Sequence, residues 1–306
     1  MKYKWYKGNI HTHTTESDGD DTPESVVKWY RKHGYDFLVL SDHNHITLLE
    51  YPKGKRRFKR PLMIPGEEVS ANIEIDGKLI PLHINGIGIS RLVEPTYSDT
   101  IISTIQANVD NIIEAGGIAS INHPNFKWAF SHNELIHIKG ASLLEIHNGH
   151  PATNNQGGPG KFSTEQIWDF ILSNNKKIFG VATDDSHNYH DFTPIKSNPG
   201  RGWLMVKSNE LSVDKIVESI KLGNFYSSTG VTLEEVNISN KSININICQE
   251  KEYIYKTEFI GTDGELLAMV PGLNPSFKLD KNQIYIRATV TNSGGQKAWV
   301  QPTFMS

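Results

Sequence analysis

Tyr6-Lys7-Gly8-Asn9-Ile10-His11-Thr12-His13, with Asp18 shortly after it, and Phe37-Leu38-Val39-Leu40-Ser41-Asp42-His43 flank the first helical stretch of the chain. Side chains alternate along a strand, so His11 and His13 point to the same side. Two imidazoles so placed can grip a metal ion, and Asp18 can reach a second. A lone His-x-His pair is weak evidence by itself. Its weight here comes from recurrence, because similar ligand chemistry returns wherever a strand ends.

The intervening stretch reads as a helix, with Thr22 as N-cap, Pro23 in its first turn, Val26, Val27 and Tyr30 as the apolar face and Gly34 as the stop. Phe37 to Leu40 is a continuous apolar run of buried-strand type. The opening unit is therefore β-α-β. Further along, Leu62-Met63-Ile64 predicts a strand running into Pro65-Gly66-Glu67-Glu68-Val69-Ser70, and Asp76-Gly77 predicts a hairpin turn whose returning strand, Leu79 to Ile89, carries His83. Ser98 or Asp99 is the expected cap of a helix with Ile101, Ile105, Val109 and Ile112 at helical spacing. Ile118 to Ile121 delivers Asn122-His123-Pro124, and Leu143 to Ile146 delivers His147. The stretch Gly149 to Gly160 predicts a mobile loop over a site. Ser163 to Gln166 fits a capping box. Ile178 to Ala182 leads to Asp184-Asp185-Ser186-His187, and a last helix begins near Ser212.

Past residue 231 no helical periodicity remains. Ile243, Ile245 and Ile247 alternate with asparagines, and Ile284, Ile286, Ala288 and Val290 alternate similarly. The expected division is 1–231 for an α/β unit and 232–306 for a small antiparallel, sandwich-like β unit that covers an edge of the first or joins an oligomer.

With 306 residues the chain can bury a full core. A formal charge of −3 supplies no global basic field, so no stable nucleic-acid partner is expected. One cysteine, Cys248, excludes a disulfide framework and a thiolate zinc site. Met1 to Trp5 holds no apolar signal core and no stretch is long enough to span a membrane, so a soluble, cytoplasmic protein is expected. The oligomeric state stays open.

Alternation of strand and helix implies a parallel sheet or barrel, in which functional residues gather at the carboxyl ends of the strands. His11, His13, Asp42, His43, Glu68, His123, Glu145, Asp185 and His187 all fall there. Nitrogen and carboxylate ligands suit zinc, manganese or iron, and a bridging carboxylate can hold two ions close together. Such pairs are a standard means of hydrolysing phosphate esters. His33, His132 and His137 read as ordinary surface histidines. His45, His147, His150 and His190 are open between orienting a ligand and facing substrate. Glu67 should point away if Glu68 points in, Asp42 is a candidate for orienting a histidine, and Glu145 is either a site carboxylate or a structural acid. The basic segment 52–60 is a solvated loop or a funnel for an anionic substrate. Arg201 is a candidate phosphate clamp or a structural arginine.

The ordered set His11-Thr12-His13, Asp18-Gly19, Ser41-Asp42-His43, Gly66-Glu67-Glu68-Val69-Ser70, His83, Asn122-His123-Pro124 and Asp185-Ser186-His187 resembles the PHP (polymerase and histidinol phosphatase) superfamily of metal-dependent hydrolases over about residues 5–230. The tail, with Gly295-Gln296-Lys297-Ala298-Trp299, is similar to the branch containing carbamate hydrolases. The resemblance implies a distorted (β/α)7 barrel with two or three divalent metal ions, manganese, zinc or iron. It places His11, His13, Glu68 and Asp185 on one ion and Glu68 with His83 and His123 on a second. Asp18, His43 and His187 fall on a third. A hydroxide bridging the first two ions would be the nucleophile, with Glu68, His123 and Asp185 as the catalytic residues and His147 beside the substrate. The family often has an aromatic residue where this chain has His147. The leading expectation is a phosphoesterase for a small, anionic, phosphorylated or nucleotide-like substrate. The alternative is carbamate, ester or amide hydrolysis at the same centre. A binding module without turnover is disfavoured because the ligand set is intact, and polymerase proofreading because no polymerase-like region accompanies it.

Overall fold

A computed structural model describes residues 3–49, 61–239, 241–279 and 281–305. The basic segment 52–60 lies outside the described residues. Strand β1 (Lys4–Asn9) leads through the first loop to helix α1 (Pro23–Lys32), then to β2 (Phe37–Leu38) and β3 (Leu62–Met63). Thr22 caps α1 by accepting from the Ser25 N–H, and Val26 and Tyr30 are fully buried. β1, β2 and β3 are parallel neighbours, which is the β-α-β unit expected from the apolar run at Phe37.

Strand β4 (Gly66–Ser70) is followed by the two-stranded extension β5 (Ile73–Ile75) and β6 (Lys78–Ile80), which turns at Asp76 and Gly77. Strand β7 (His83–Ile87) then pairs antiparallel with both β4 and β8 (Ile118–Ile121). The returning strand expected over Leu79 to Ile89 is thus split into β6 and β7, and its antiparallel course makes the sheet mixed. Because β7 runs backwards, its first residue, His83, lies at the same edge as the carboxyl ends of its neighbours. Helix α2 (Ile101–Glu114) is capped one position later than expected, by Thr100 in a reciprocal box with Ser103. Such caps contribute about 1 kcal/mol.

After the short helix α3 (His132–Leu135) come β9 (Leu143–Asn148), helix α4 (Thr164–Ser173) with its Ser163–Gln166 capping box, and β10 (Phe179–Thr183). β8, β9 and β10 are parallel, completing a five-stranded sheet in the order β10-β9-β8-β7-β4. β11 (Trp203–Ser208), helix α5 (Val213–Lys221) and β12 (Phe225–Ser228) follow. Two isolated parallel bridges, Thr12 with Ser186 and His43 with Glu68, join this sheet to the extensions of β1 and β2. Between the layers lie Ile10, Phe37, Val39, Ile64, Val181 and Leu204, all essentially without exposed surface.

The C-terminal strands are β13 (Leu233–Ile238), β14 (Ser242–Ile247), β15 (Tyr255–Ile260), β16 (Leu266–Pro271), β17 (Ser276–Lys278), β18 (Tyr285–Asn292) and β19 (Lys297–Phe304). Four of them continue the first sheet, in the order β16-β15-β18-β19-β12-β11-β1-β2-β3, while β13, β14 and β17 form a separate sheet. Ile243, Ile245 and Ile247 face Phe259, Ile286 and Val290 across a shared apolar core. The alternation in β18 does not mark a solvent face, since Tyr285, Arg287 and Thr289 are buried as well. That second face packs on the α/β unit. Gln301 also completes the open edge of β10, accepting from Gly180 N–H at 2.9 Å and donating to Gly180 O at 2.8 Å. No helix among the described residues is long and apolar enough to cross a membrane.

Candidate metal centre

The two bridges draw the ends of β1, β2, β4 and β10 together, and the ligand-type residues converge on that edge. Glu68 is the common member. Its Oε1 lies 3.2 Å from His11 Nε2, 3.2 Å from His83 Nδ1 and 3.3 Å from His123 Nε2. Its Oε2 lies 3.3 Å from His13 Nε2 and 3.0 Å from His43 Nδ1. Asp185 Oδ1 stands 3.2 Å from both His11 Nε2 and His13 Nε2. Asp18 makes a third focus, 3.2 Å from His187 Nε2 and 3.6 Å from His43 Nε2. Four sets of donor atoms compact enough for an ion result: His11, His13 and Asp185; His11, Glu68 and His123; His43, Glu68 and His83; and His13, Asp18, His43 and His187.

The second nitrogen of several imidazoles is committed elsewhere, which fixes the ring and aims the first. His11 Nδ1 donates to Glu145 Oε1 at 2.6 Å, and His187 Nδ1 to Asp185 O at 2.9 Å. Ser70 Oγ donates to Glu68 O, so it accepts from His43 Nδ1 at 2.6 Å. This is the arrangement in which a neighbouring acceptor selects the tautomer of a ligand histidine. His11 Nε2 and His13 Nε2 are then buried without a hydrogen-bond partner. Two such orphaned nitrogens, facing carboxylates, are what a bound divalent cation would satisfy. The residues present fit that group.

The carboxylates and imidazoles of the cluster shift one another's titration. Burial works to raise Glu68 and Asp185, yet the imidazoles of His11 and its neighbours prevail and hold both carboxyls well below the usual range. Burial and the nearby His187 push His13 down to about 4, while Glu68 and Asp18 overcome burial and carry His43 up to about 10. Two of the converging residues also sit in left-handed backbone, His123 at φ 23° and Asp185 at φ 48°. Such conformations are costly for residues with a Cβ and persist where surrounding structure imposes them.

Around this set lie residues that the sequence reading placed only partly. Glu145 is an orienting acid: besides His11 it accepts from Thr183 Oγ1, His123 N–H and Asn148 Nδ2. Asn122 donates to Glu68 Oε1 at 2.8 Å, and Asn148 to Asp185 Oδ2 at 3.1 Å. Asn85 links Asn122 to Ile10 O. The role of Asn148 could not be read by alternation, because a bulge opposite Val181 and Ala182 shifts the phase of β9. His147 is consequently turned from the cavity and lies against Trp299 of the tail, with ring centroids 5.8 Å apart, which corrects its expected place beside the substrate. Arg201 is also corrected. Its guanidinium donates to Gly149 O, Thr193 O and Asn198 Oδ1, tying two loops together, and it does not line the cavity. Asp42 touches no histidine directly among the described residues; it accepts from Thr14, Ser17 and Thr47, pins the loop that carries Asp18, and reaches His13 only through Ser17, whose Oγ lies 3.4 Å from His13 Nδ1. Glu67 points away, to the Val93 N–H. His45 and His190 lie outside, each 3.7 Å from a surface acid.

The cavity above the cluster has a volume of about 310 Å³. Besides the converging residues it is lined by Phe126, His150, Asn188 and Ser197. Phe126 supplies an apolar wall, its ring edge-on to His123 at 5.3 Å.

No family model matches the chain, and no curated protein matches its sequence. The fold does have solved counterparts. A two-domain protein of Bacteroides vulgatus containing a predicted PHP-like metal-dependent phosphoesterase superposes with a TM-score of 0.53 at 16% identity, covering 98% of this chain and 95% of its own. A putative metal-dependent phosphoesterase of Bifidobacterium adolescentis gives 0.42 at 14% identity over 62% of this chain and 89% of its own. An amidohydrolase of Chromobacterium violaceum gives 0.39 at 15% identity over 62% and 93% respectively. The first likeness spans both parts of the chain and shows a shared fold.

Proposed function

We propose that the chain is a metal-dependent phosphoesterase acting on a small anionic substrate. The observation that carries this reading is the position of Glu68, whose two carboxylate oxygens reach five imidazoles at 3.0–3.3 Å. A buried carboxylate so surrounded is suited to bridging two ions. We assign His11, His13, Glu68 and Asp185 to one ion, Glu68, His83 and His123 to the next, and Asp18, His43 and His187 to a third. Divalent ions held there would supply Lewis acidity toward a phosphoryl group and lower the pKa of water.

The chain's own residues do the rest. Glu145 holds the His11 proton on Nδ1, so that the lone pair of Nε2 is turned toward the centre. Asn122 and Asn148 fix the planes of Glu68 and Asp185. Phe126 narrows the cavity on the His123 side. We read the strands around the site, with the Thr12–Ser186 and His43–Glu68 bridges, as a distorted (β/α)7 barrel, and 232–306 as a second, sandwich-like domain. A cytoplasmic setting suits a chain with one cysteine, and a net charge of −3 gives no reason for a nucleic-acid partner.

The purified protein, loaded with manganese, is expected to cleave members of a panel of phosphomonoesters and diesters. No turnover across the panel would sink the reading. Faster cleavage of aryl carbamates than of any phosphate ester would replace it with carbamate hydrolysis at the same centre.

A further inference from the structure

Four residues line the cavity without belonging to any candidate ligand set: Phe126, His150, Asn188 and Ser197. Phe126 has no polar atom to offer. Asn188 is committed to Asp20 and to the Ser197 N–H, and Ser197 Oγ donates to Asp185 O. His150 is different, since one of its ring nitrogens is used and the other is not.

The main chain at His150 is firmly held. Its N–H donates to Asn148 Oδ1 at 2.8 Å, and its carbonyl accepts from Thr153 Oγ1 at 2.7 Å. The ring Nδ1 accepts from the Ala152 N–H at 3.1 Å. A nitrogen that accepts carries no proton, so the neutral ring bears its hydrogen on Nε2. The ring is wedged edge-on against Phe126 and His187, with centroids 5.9 and 5.8 Å away and both interplanar angles 78°. No described residue accepts a hydrogen bond from Nε2. The site thus presents one preoriented N–H donor on a wall of the cavity beside the Asp18–His187 focus.

We propose that His150 is a substrate-binding residue whose Nε2–H donates to a non-bridging oxygen of the anionic group seated at the metal centre. The inference rests on the phosphoesterase reading and deepens it by naming a protein donor for the phosphoryl group, the part expected of Arg201. The turn made by Nδ1 and the donor made by Nε2 are separable by substitution. In His150→Asn a short amide can still accept from the Ala152 N–H as an Asx turn but does not reach the cavity. In His150→Gln the longer amide places an N–H near the position of Nε2 and gives up the turn.

Inorganic phosphate binding to the full-length, metal-loaded protein is to be measured by calorimetry, with metal content and Tm recorded for each variant. His150→Gln should bind within about 3-fold of the unmodified protein, and His150→Asn should bind about 10- to 100-fold more weakly at unchanged metal content, the range for a lost hydrogen bond to a charged group. The reverse order, Asn unaffected and Gln impaired, would confine His150 to the turn and overturn the proposal, as would equal affinity in all three proteins. Should the Asn variant fail to fold, His150→Phe keeps the packing on Phe126 and His187 and must show the same loss. An unmodified protein that neither binds phosphate nor cleaves phosphate esters would overturn the functional reading itself and this inference with it.

Discussion

Arg287 and Asp169 meet through two hydrogen bonds of 2.7 Å, Nε to Oδ1 and Nη2 to Oδ2, joining β18 of the tail to helix α4 of the α/β unit. Both are buried, and Tyr285 donates to the same carboxylate at 2.8 Å. Removing one partner leaves the other as an uncompensated charge, which typically costs 3–5 kcal/mol. Arg287→Ala is therefore expected to lose about that much stability in urea denaturation, whereas the paired change Asp169→Leu with Arg287→Met should cost far less. A loss below about 1 kcal/mol in Arg287→Ala would show that the pair does not hold the two parts together.

Glu68 belongs to two of the candidate ion sets, while His43 reaches Asp18 through Nε2 and is backed by Ser70 through Nδ1. Metal analysis should find that Glu68→Ala loses both of the ions it would bridge and that His43→Ala loses only the ion nearest Asp18. Unchanged metal content in Glu68→Ala would remove the bridging assignment.

Asp42 accepts four hydrogen bonds of 2.6–2.8 Å from Thr14, Ser17 and Thr47. Asp42→Ala strands those donors and frees the loop that carries Asp18. The expected cost is about 1–3 kcal/mol of stability. Metal titration should show weakened binding at the Asp18 focus before the Glu68 focus; uniform loss at both would mean that Asp42 supports the whole centre.

His147 gives a pH dependence whose sign is fixed. Burial in the interface with Trp299 pushes its pKa down to about 4, from an unperturbed value near 6.5. The unfolded chain then binds the proton more readily than the folded one. The contribution is fully present above about pH 6.5 and is lost as the pH falls toward 4. His147→Phe should therefore lose less stability between pH 7 and pH 5 than the unmodified protein, compared by urea denaturation at matched metal content. Equal losses would place the imidazole in water.

Much of the site was legible because its signals are local. An imidazole pair at a strand end, an apolar run closing on Ser41-Asp42-His43 and the Asn122-His123-Pro124 turn each occupy a few residues, and strand alternation fixes their side within that span. The same rule failed at β9. One extra residue in the ladder shifts the phase, so Asn148 takes the inward place expected of His147, and nothing within the strand announces a bulge that is defined only by pairing with β10. Arg201 failed for a related reason. Guanidinium chemistry suits phosphate and backbone carbonyls alike, and only the positions of Gly149 and Thr193 decide between them.

The sequence by itself determined which residues carry metal-ligand chemistry and that they recur at strand ends, since ligand chemistry and strand periodicity are properties of short segments. Only the tertiary structure decided that the returning strand pairs with both β4 and β8, bringing His83 to the shared edge, and that the tail continues the first sheet rather than standing apart. It also decided that Glu145 orients His11 across 134 residues of chain. Those outcomes depend on which strands pair and which faces are buried, and the free energy of both is set by contacts between segments far apart in sequence.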